Sequence, residues 1–189
     1  MTQPTILVTG ATGNTGGAVV SELLHRGVPV RAMVRSRDAR SAALQARGAE
    51  VVVADIFDPD QLVAAMHGVR RAYYVPPYHP YVIQSAVTFA VAAREAKLEA
   101  IVQLGQWLSH RSHPALMTRQ TWLMDKMFAE LRGIAHTILN PGLFADDFLR
   151  TIDFATLLGV IPMLGGVGKV APVTRIVGCV MFALLHQSH

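Results

Sequence analysis

Residues 8–17 read VTGATGNTGG, four glycines and three threonines set directly behind the short apolar run TILV (5–8). Gly10, Gly13 and Gly16 stand at G-x-x-G-x-x-G spacing, offset from the G-x-G-x-x-G of the common dinucleotide fingerprint. A phosphate needs backbone N–H groups aimed at it and no side chain in the way. Glycines between a first strand and a helix N-terminus supply both, and the helix dipole adds favourable potential. On this reading Gly10 permits a tight turn, Gly13 lets the backbone approach a pyrophosphate, and Gly16 lets the helix pack closely on the strand. Thr12, Asn14 and Thr15 can donate further hydrogen bonds. The alternative is a glycine-rich turn that holds nothing. The position of the loop, after a strand and at the opening of a helix, favours the nucleotide reading.

Working outward, β-branched runs alternate with helical patterns along the chain. TILVT (5–9), VPVRAMVR (28–35), AEVVVAD (49–55), RRAYYVP (70–76), EAIVQLG (99–105) and AHTILNPG (135–142) read as strands. Between them, 15–27, 38–48, 58–68, about 80–97 and 116–133 read as helices. Asp38 and Asp58 are the expected N-caps, Pro59 lies in a first turn, and Gly27 and Gly48 are stop signals. The segment 173–187 is expected to be a further helix. Strand–helix alternation with short connections implies an α/β fold, a doubly wound parallel sheet of Rossmann type with helices on both faces. No linker or composition shift marks a second domain, so residues 1–189 are read as a single domain. Ligands of such sheets sit beyond the carboxyl ends of the strands. The segments to inspect are therefore 10–17, 35–37, 55–58, 76–79, 105–109 and 140–144.

At the end of the second strand a cofactor with a free ribose hydroxyl pair is usually gripped by an acid. Here the sequence has Arg35, Ser36 and Arg37 instead. A carboxylate would repel a 2′-phosphate, whereas a guanidinium binds it with charge-assisted hydrogen bonds. The reading is NADP(H) over NAD(H), with Arg35 the first candidate because it follows the strand directly. A solvated arginine pair at a helix start is the alternative. Asp55 ends the third strand and can accept from an adenine amino group, with the Ile56 N–H near the ring; the alternative is a second helix-cap acid. Pro76 follows the fourth strand, where the chain passes the inner ribose of such a cofactor.

Composition narrows the function classes. Apolar residues make up 51% of the 189 and charged residues 16%, a balance that belongs to a folded domain with a real core. The formal charge of +4 comes from scattered basic residues with no Lys/Arg tract interleaved with aromatics, which argues against nucleic-acid binding. No apolar run approaches the ~18 residues of a spanning helix, and the N-terminus has no basic region ahead of its apolar segment. One cysteine, Cys179, excludes an intramolecular disulfide and fits a cytoplasmic protein. His110 and His113 form an H-x-x-H with no further ligand at metal-binding spacing, so no metal site is expected.

VTGATGNTGG, VRSRD (34–38), VADIFDPDQL (53–62) and HTILNPGLFADDFL (136–149), taken together, resemble the NmrA-like branch of the atypical short-chain dehydrogenases/reductases. GKVAPVTRIVGCVMFALL (168–185) is similar to a later segment of that family, so the resemblance spans nearly the whole chain. It implies an NADP(H)-binding Rossmann fold whose members include quinone and other reductases and also redox-sensing regulators. It also implies that Asn140, Pro141 and Gly142 frame the nicotinamide, with Asn140 a partner for its carboxamide. Family members usually continue into a smaller C-terminal substrate lobe, which is expected to be missing or minimal here.

The chemistry is less clearly written. Carbonyl reduction commonly uses a Tyr tuned by a Lys four residues later. The tyrosines stand at 73, 74, 78 and 81 and the lysines at 97, 126 and 169, so no such pair exists. Some NmrA-like reductases carry a Lys early in the helix before the sixth strand; Trp122 aligns near that place, with Lys126 one turn later. Tyr78, Gln106 and Lys126 are the candidates for a catalytic role. Tyr78 and the neighbouring His79 read more readily as surface packing, and Gln106 and Trp107 are as readable as core packing. The Met-rich helix LMTRQTWLMDKMFAEL (116–131) reads as a buried helix or a homodimer face. The functional expectation is NADPH-dependent reduction of a small electrophile such as a quinone, with a non-catalytic NADP(H) sensor acting through a protein partner as the alternative.

Overall fold

The structure is a computed structural model and describes residues 5–142 together with 144, 156 and 157. The expected helix over 173–187, the segment 168–185 and most of 143–149 lie outside the described residues. Strands β1 (Ile6–Val8), β2 (Val30–Val34), β3 (Glu50–Val53), β4 (Arg71–Tyr74), β5 (Ala100–Leu104) and β6 (Ala135–Leu139) form one sheet in the order β3-β2-β1-β4-β5-β6. Every neighbouring pair is parallel. The order reverses direction between β1 and β4, so a crevice opens there at the carboxyl edge.

Helices α1 (Asn14–His25) and α2 (Ala39–Ala46) cover one face. Val19, Val20, Leu23 and Leu44 pack there on Ile6, Val8, Val30, Ala32 and Tyr73. Helices α3 (Pro59–Met66), α4 (Val82–Glu95) and α5 (Leu116–Ala129) cover the other, packing on Leu7, Met33, Ala72, Tyr74 and Ile101. Successive strand residues point to opposite faces, and a parallel sheet buried on both sides needs apolar residues at both. ILV and RAYY meet that need, since Ile6, Leu7, Val8, Tyr73 and Tyr74 are all fully buried.

Local chemistry fixes the helix ends. Asp38 accepts from the Ser41 N–H at 2.9 Å while its own N–H donates to Ser41 Oγ at 2.8 Å, a reciprocal cap. The Ser41 N–H, assisted by the Arg40 guanidinium, holds the Asp38 carboxyl below its ordinary range. Asp58 caps α3 through the Gln61 N–H at 3.0 Å, with Pro59 in the first turn. Both caps are the ones the sequence predicts. The helix expected as a buried element or a dimer face, α5, buries Thr118, Thr121, Met124, Asp125 and Phe128 and leaves Leu116 and Leu123 exposed.

Under α4 and α5 the core is aromatic. The Tyr74 ring lies 4.7 Å from Phe89 and 5.3 Å from Phe128, and Phe128 stacks on His136 at 5.4 Å. The Tyr74 hydroxyl is 2.9 Å from Ser85 Oγ, which donates to the Val82 carbonyl, so the phenol donates to Ser85. Burial pushes that phenol far above its ordinary range. Phe128 is fully buried at the centre of the cluster. Phe128→Ala should therefore cost about 3–5 kcal/mol, read as a lowered denaturation midpoint; a midpoint within error of the parent would refute the packing.

Candidate functional site

The β1–α1 turn is held from both sides. The Val75 N–H donates to Thr9 Oγ1 at 2.8 Å and the Thr9 N–H to the Tyr73 carbonyl at 3.0 Å, tying the end of β1 to β4. On the other side the Ala11 N–H reaches the Met33 carbonyl of β2 at 3.4 Å. Gly10 takes φ +59°, a left-handed conformation that L side chains rarely adopt. Gly16 faces the backbone so closely that a Cβ there would sit 2.3 Å from the Gly10 carbonyl oxygen. Helix α1 begins at Asn14 with Gly13 as its N-cap and with no side-chain cap bond and no acid in the first turn. The N–H groups of Asn14, Thr15 and Gly16 have no carbonyl one turn earlier to receive them, and the Gly17 N–H is the first to be taken up, by the Gly13 carbonyl at 2.8 Å. The result is a rim of main-chain donors at the positive end of a helix, beside the β1/β4 crevice. Thr12 flanks it, half-buried.

One strand away, Arg35 is the first residue after β2 and is exposed. None of the described residues forms an ion pair or hydrogen bond with its guanidinium. Arg37 is already engaged, by Gln45 Oε1 at 3.2 Å and the Val51 carbonyl at 3.4 Å. Beyond β3, Asp55 accepts the Phe57 N–H on Oδ1 at 3.0 Å, and its own N–H donates to Gln61 Oε1 at 2.9 Å. Asp55 is exposed while Ile56 packs against the core. The ends of β1, β2 and β3 thus bring the glycine turn, Arg35 and Asp55 to one edge.

The ends of β4, β5 and β6 carry the remaining predicted residues. Pro76 is half-buried, and Tyr78 is 94% exposed. His79 sits between the Phe57 and Tyr81 rings at 5.4 and 5.3 Å. Asn140 lays its side-chain oxygen against Gly105, and the Pro141 carbonyl accepts the Trp107 N–H at 3.2 Å. Gly142 is half-buried beside them. Gln106 is exposed, with its Oε1 3.5 Å from the Thr121 hydroxyl; that hydroxyl lies nearer the Met117 carbonyl, at 3.1 Å. Lys126 is not brought to this edge by any hydrogen bond among the described residues; its ammonium lies 5.9 Å over the Trp122 ring. His110 and His113 pair edge-to-face at 5.4 Å. Among the described residues no three of His, Cys, Asp and Glu are placed to hold a metal, and no helix is long and apolar enough to cross a membrane.

One group of polar residues was not anticipated. Gln103 of β5, fully buried, donates from Nε2 to Asp125 Oδ1 at 2.6 Å. The Ser109 hydroxyl donates to Asp125 Oδ2 at 3.1 Å. Because the Gln103 amide nitrogen faces the carboxylate, its oxygen must accept from His136 Nε2, 3.1 Å away, so His136 carries its proton on Nε2. Burial raises the Asp125 carboxyl, an effect that the Ser109 and Gln103 hydrogen bonds oppose. Burial likewise lowers the His136 imidazole. The signal lay in the spacing: Thr118, Thr121, Asp125 and Phe128 fall on one inward helical stripe, where an acid needs partners.

Three comparisons bear on this geometry. The model of the NmrA-like family matches residues 2–122. The chain is 31% identical over 181 residues to quinone oxidoreductase 2 of Escherichia coli, covering 90% of this chain and 59% of that protein. It is 28% identical over 179 residues to an NAD(P)H azoreductase of Xenophilus azovorans, covering 88% and 57%. The chain thus spans less than three fifths of the length of these two relatives. Among solved structures, an NADPH-dependent quinone oxidoreductase of Escherichia coli complexed with NADPH superposes with a TM-score of 0.85 at 27% identity, over 97% of this chain and 65% of that one. The triphenylmethane reductase of a Citrobacter species complexed with NADP(H) gives 0.83 at 26%, over 97% and 66%.

Two outcomes test the geometry. Gly16→Ala drives a Cβ into main chain that cannot rotate away and should lower stability by about 1–3 kcal/mol, read by denaturant unfolding; a neutral result would show that the contact is loose. The second concerns pH. The unfolded imidazole of residue 136 takes up its proton near the ordinary 6.5, whereas the folded one resists until lower pH. Its contribution is thus present above about 6.5 and is lost as pH falls. Asp125, raised by burial, has the opposite sign: its contribution is complete below the ordinary 3.8 and is lost as pH rises through the raised value. Thermal unfolding of His136→Gln should therefore fall less steeply than the parent below about pH 6.5. Parallel curves would reject the assignment.

Proposed function

The chain belongs to the NmrA-like family, and on that premise we propose that it binds NADP(H) and reduces a quinone or a similar small conjugated electrophile. The observation that carries this reading is the unblocked donor rim of Asn14, Thr15 and Gly16, with Arg35, which none of the described residues pairs, one strand away. The cradle fits a pyrophosphate: Gly16, where a Cβ would strike the Gly10 backbone, lets the helix start against β1 with its first N–H groups free, and no acid opposes an anion in the first turn. Arg35 fits a 2′-phosphate, since no carboxylate among the described residues competes for its fork of donors. Asp55 keeps one carboxylate oxygen clear of the Phe57 N–H and could accept from the adenine amino group, with the Ile56 N–H near the ring. Pro76 would border the inner ribose, and Asn140, Pro141 and Gly142 would frame the nicotinamide.

When bound, NADPH supplies a hydride, and a quinone that gains this hydride and one proton from water leaves as the hydroquinone. Such an acceptor needs little acid help, because the anion formed first is delocalised. That requirement suits a chain in which Tyr73 and Tyr74 lie within the core and Lys126 sits over Trp122. The names of the azo and quinone reductases among its relatives support the substrate class. The placement of Tyr73, Tyr74 and Lys126 also favours a second reading, a non-catalytic NADP(H) sensor that signals through a partner protein. NADPH oxidation against a panel of quinones separates the two: tight binding without turnover is the sensor's result.

Thermal shift with NADPH, NADP, NADH and NAD in parallel tests the cofactor. The phosphorylated pair should stabilise the protein more. Arg35→Glu should weaken NADPH by about 1.5–3 kcal/mol, ten- to a hundredfold. Equal stabilisation by NADH and NADPH in the parent, or unchanged NADPH binding in the variant, would overturn the assignment.

A further inference from the structure

The connection after β5 carries a cost that its position alone does not explain. Leu108 is held at φ +62°, a left-handed conformation unfavourable for a branched side chain. Its neighbour Trp107 is 51% exposed and Leu108 itself 59%, so the strained turn places its two largest apolar side chains in solvent. Tyr78 and Tyr81 on the adjacent connection, and Leu116 at the start of α5, are exposed as well. Gln120 of α5 donates to the Pro80 carbonyl at 3.1 Å, which ties the β4–α4 connection to that helix. These exposed apolar side chains follow β4 and β5, on the carboxyl edge where ligands of such sheets sit.

The turn is held rigidly from beneath. The Gly105 N–H donates to the Leu139 carbonyl at 2.8 Å and the Trp107 N–H to the Pro141 carbonyl at 3.2 Å, fastening it to the end of β6. The Ser109 hydroxyl donates to Asp125, a carboxylate only 7% exposed, whose other oxygen takes the buried Gln103 amide. Placing a carboxylate in the core is costly unless its partners are worth keeping. Here one partner is the serine that ends the strained turn.

We propose that Trp107 and Leu108 form a stacking platform for a flat, conjugated electron acceptor, and that Asp125, acting through Ser109, is the positioning residue that holds the platform in place. The proposal rests on the reductase reading of the site and names the feature that selects its acceptor. An indole offers a broad π-face to an electron-poor ring, and its stiffness keeps the entropy lost on stacking small. The platform lies beside Asn140 and Pro141, where an acceptor meets the half of the edge assigned to the nicotinamide.

The test uses the full chain with Trp122→Phe, which leaves Trp107 as the sole tryptophan. Menadione, titrated with and without NADP and with no electron donor present, should quench Trp107 fluorescence saturably. Ser109→Ala should weaken that binding about tenfold and Ser109→Thr, which keeps the hydroxyl, should restore it. In steady-state assays on the otherwise unaltered chain, Trp107→Ala should raise the KM for menadione about tenfold with kcat changed less than about twofold, and Trp107→Phe should recover most of the loss. The NADPH thermal shift should be the same in all these variants. Quenching that rises without saturation, or an unchanged KM in Trp107→Ala, overturns the platform. Saturable quenching in a protein that NADPH does not stabilise sinks the dinucleotide reading instead and upholds the platform.

Discussion

The first turn of α1 rests on the carbonyl of Gly10, and this close approach sets the direction of everything around it. With no Cβ at residue 16, the helix can begin almost against the end of β1. Its N-terminal N–H groups then open toward the crevice where the sheet's order reverses. A bulkier residue would tilt or displace the helix, and the donors would no longer converge. Thr9 reinforces the arrangement from below, because its hydroxyl accepts the Val75 N–H and so locks the ends of β1 and β4 at a fixed separation. Parallel pairing of β1 with both β2 and β4 makes that anchorage two-sided.

From this point the carboxyl edge divides into two halves of different character. Over β1, β2 and β3 it offers main-chain donors, a guanidinium that no described residue pairs, and an aspartate. Over β4, β5 and β6 it offers aromatic and branched side chains above a buried hydrogen-bonded chain running from His136 through Gln103 and Asp125 to Ser109. The first half is built from backbone and depends on glycine; the second is built from side chains and depends on polar groups that are satisfied inside the core. A buried chain of this kind gives rigidity only while every member is paired.

Short-range signals were fully legible in the sequence. Asp38 and Asp58 cap the helices they precede, strands alternate with helices in the expected order, and Arg35 emerges directly after β2. The family resemblance agrees with the match over residues 2–122 for the glycine turn and the segments after β2 and β3, while its fourth carrier, residues 136–149, lies beyond that match. Strand ends were drawn up to three residues too long; at the end of β4, for instance, the Val75 N–H turns from the ladder to the Thr9 hydroxyl. The buried polar chain was not legible, since its members are separated by 22 and 33 residues in sequence and meet only through the β5–β6 pairing and the packing of α5. An apolar, Met-rich helix concealed the one acid that faces inward.

The strand order also bears on how the chain assembles as it leaves the ribosome. Strands β3, β2 and β1 are consecutive in sequence and adjacent in space, so the first half can pair and bury Val19, Val20 and Leu23 before any later strand exists. Until Arg71–Tyr74 appears, however, the far edge of β1 has no partner, and Leu7 and Met33 lack the helices that cover them in the finished core. A half-made sheet of this kind exposes an apolar face and an open hydrogen-bonding edge together, the two features that invite association with other chains. Synthesis of α3 and β4 is thus what closes that face and that edge.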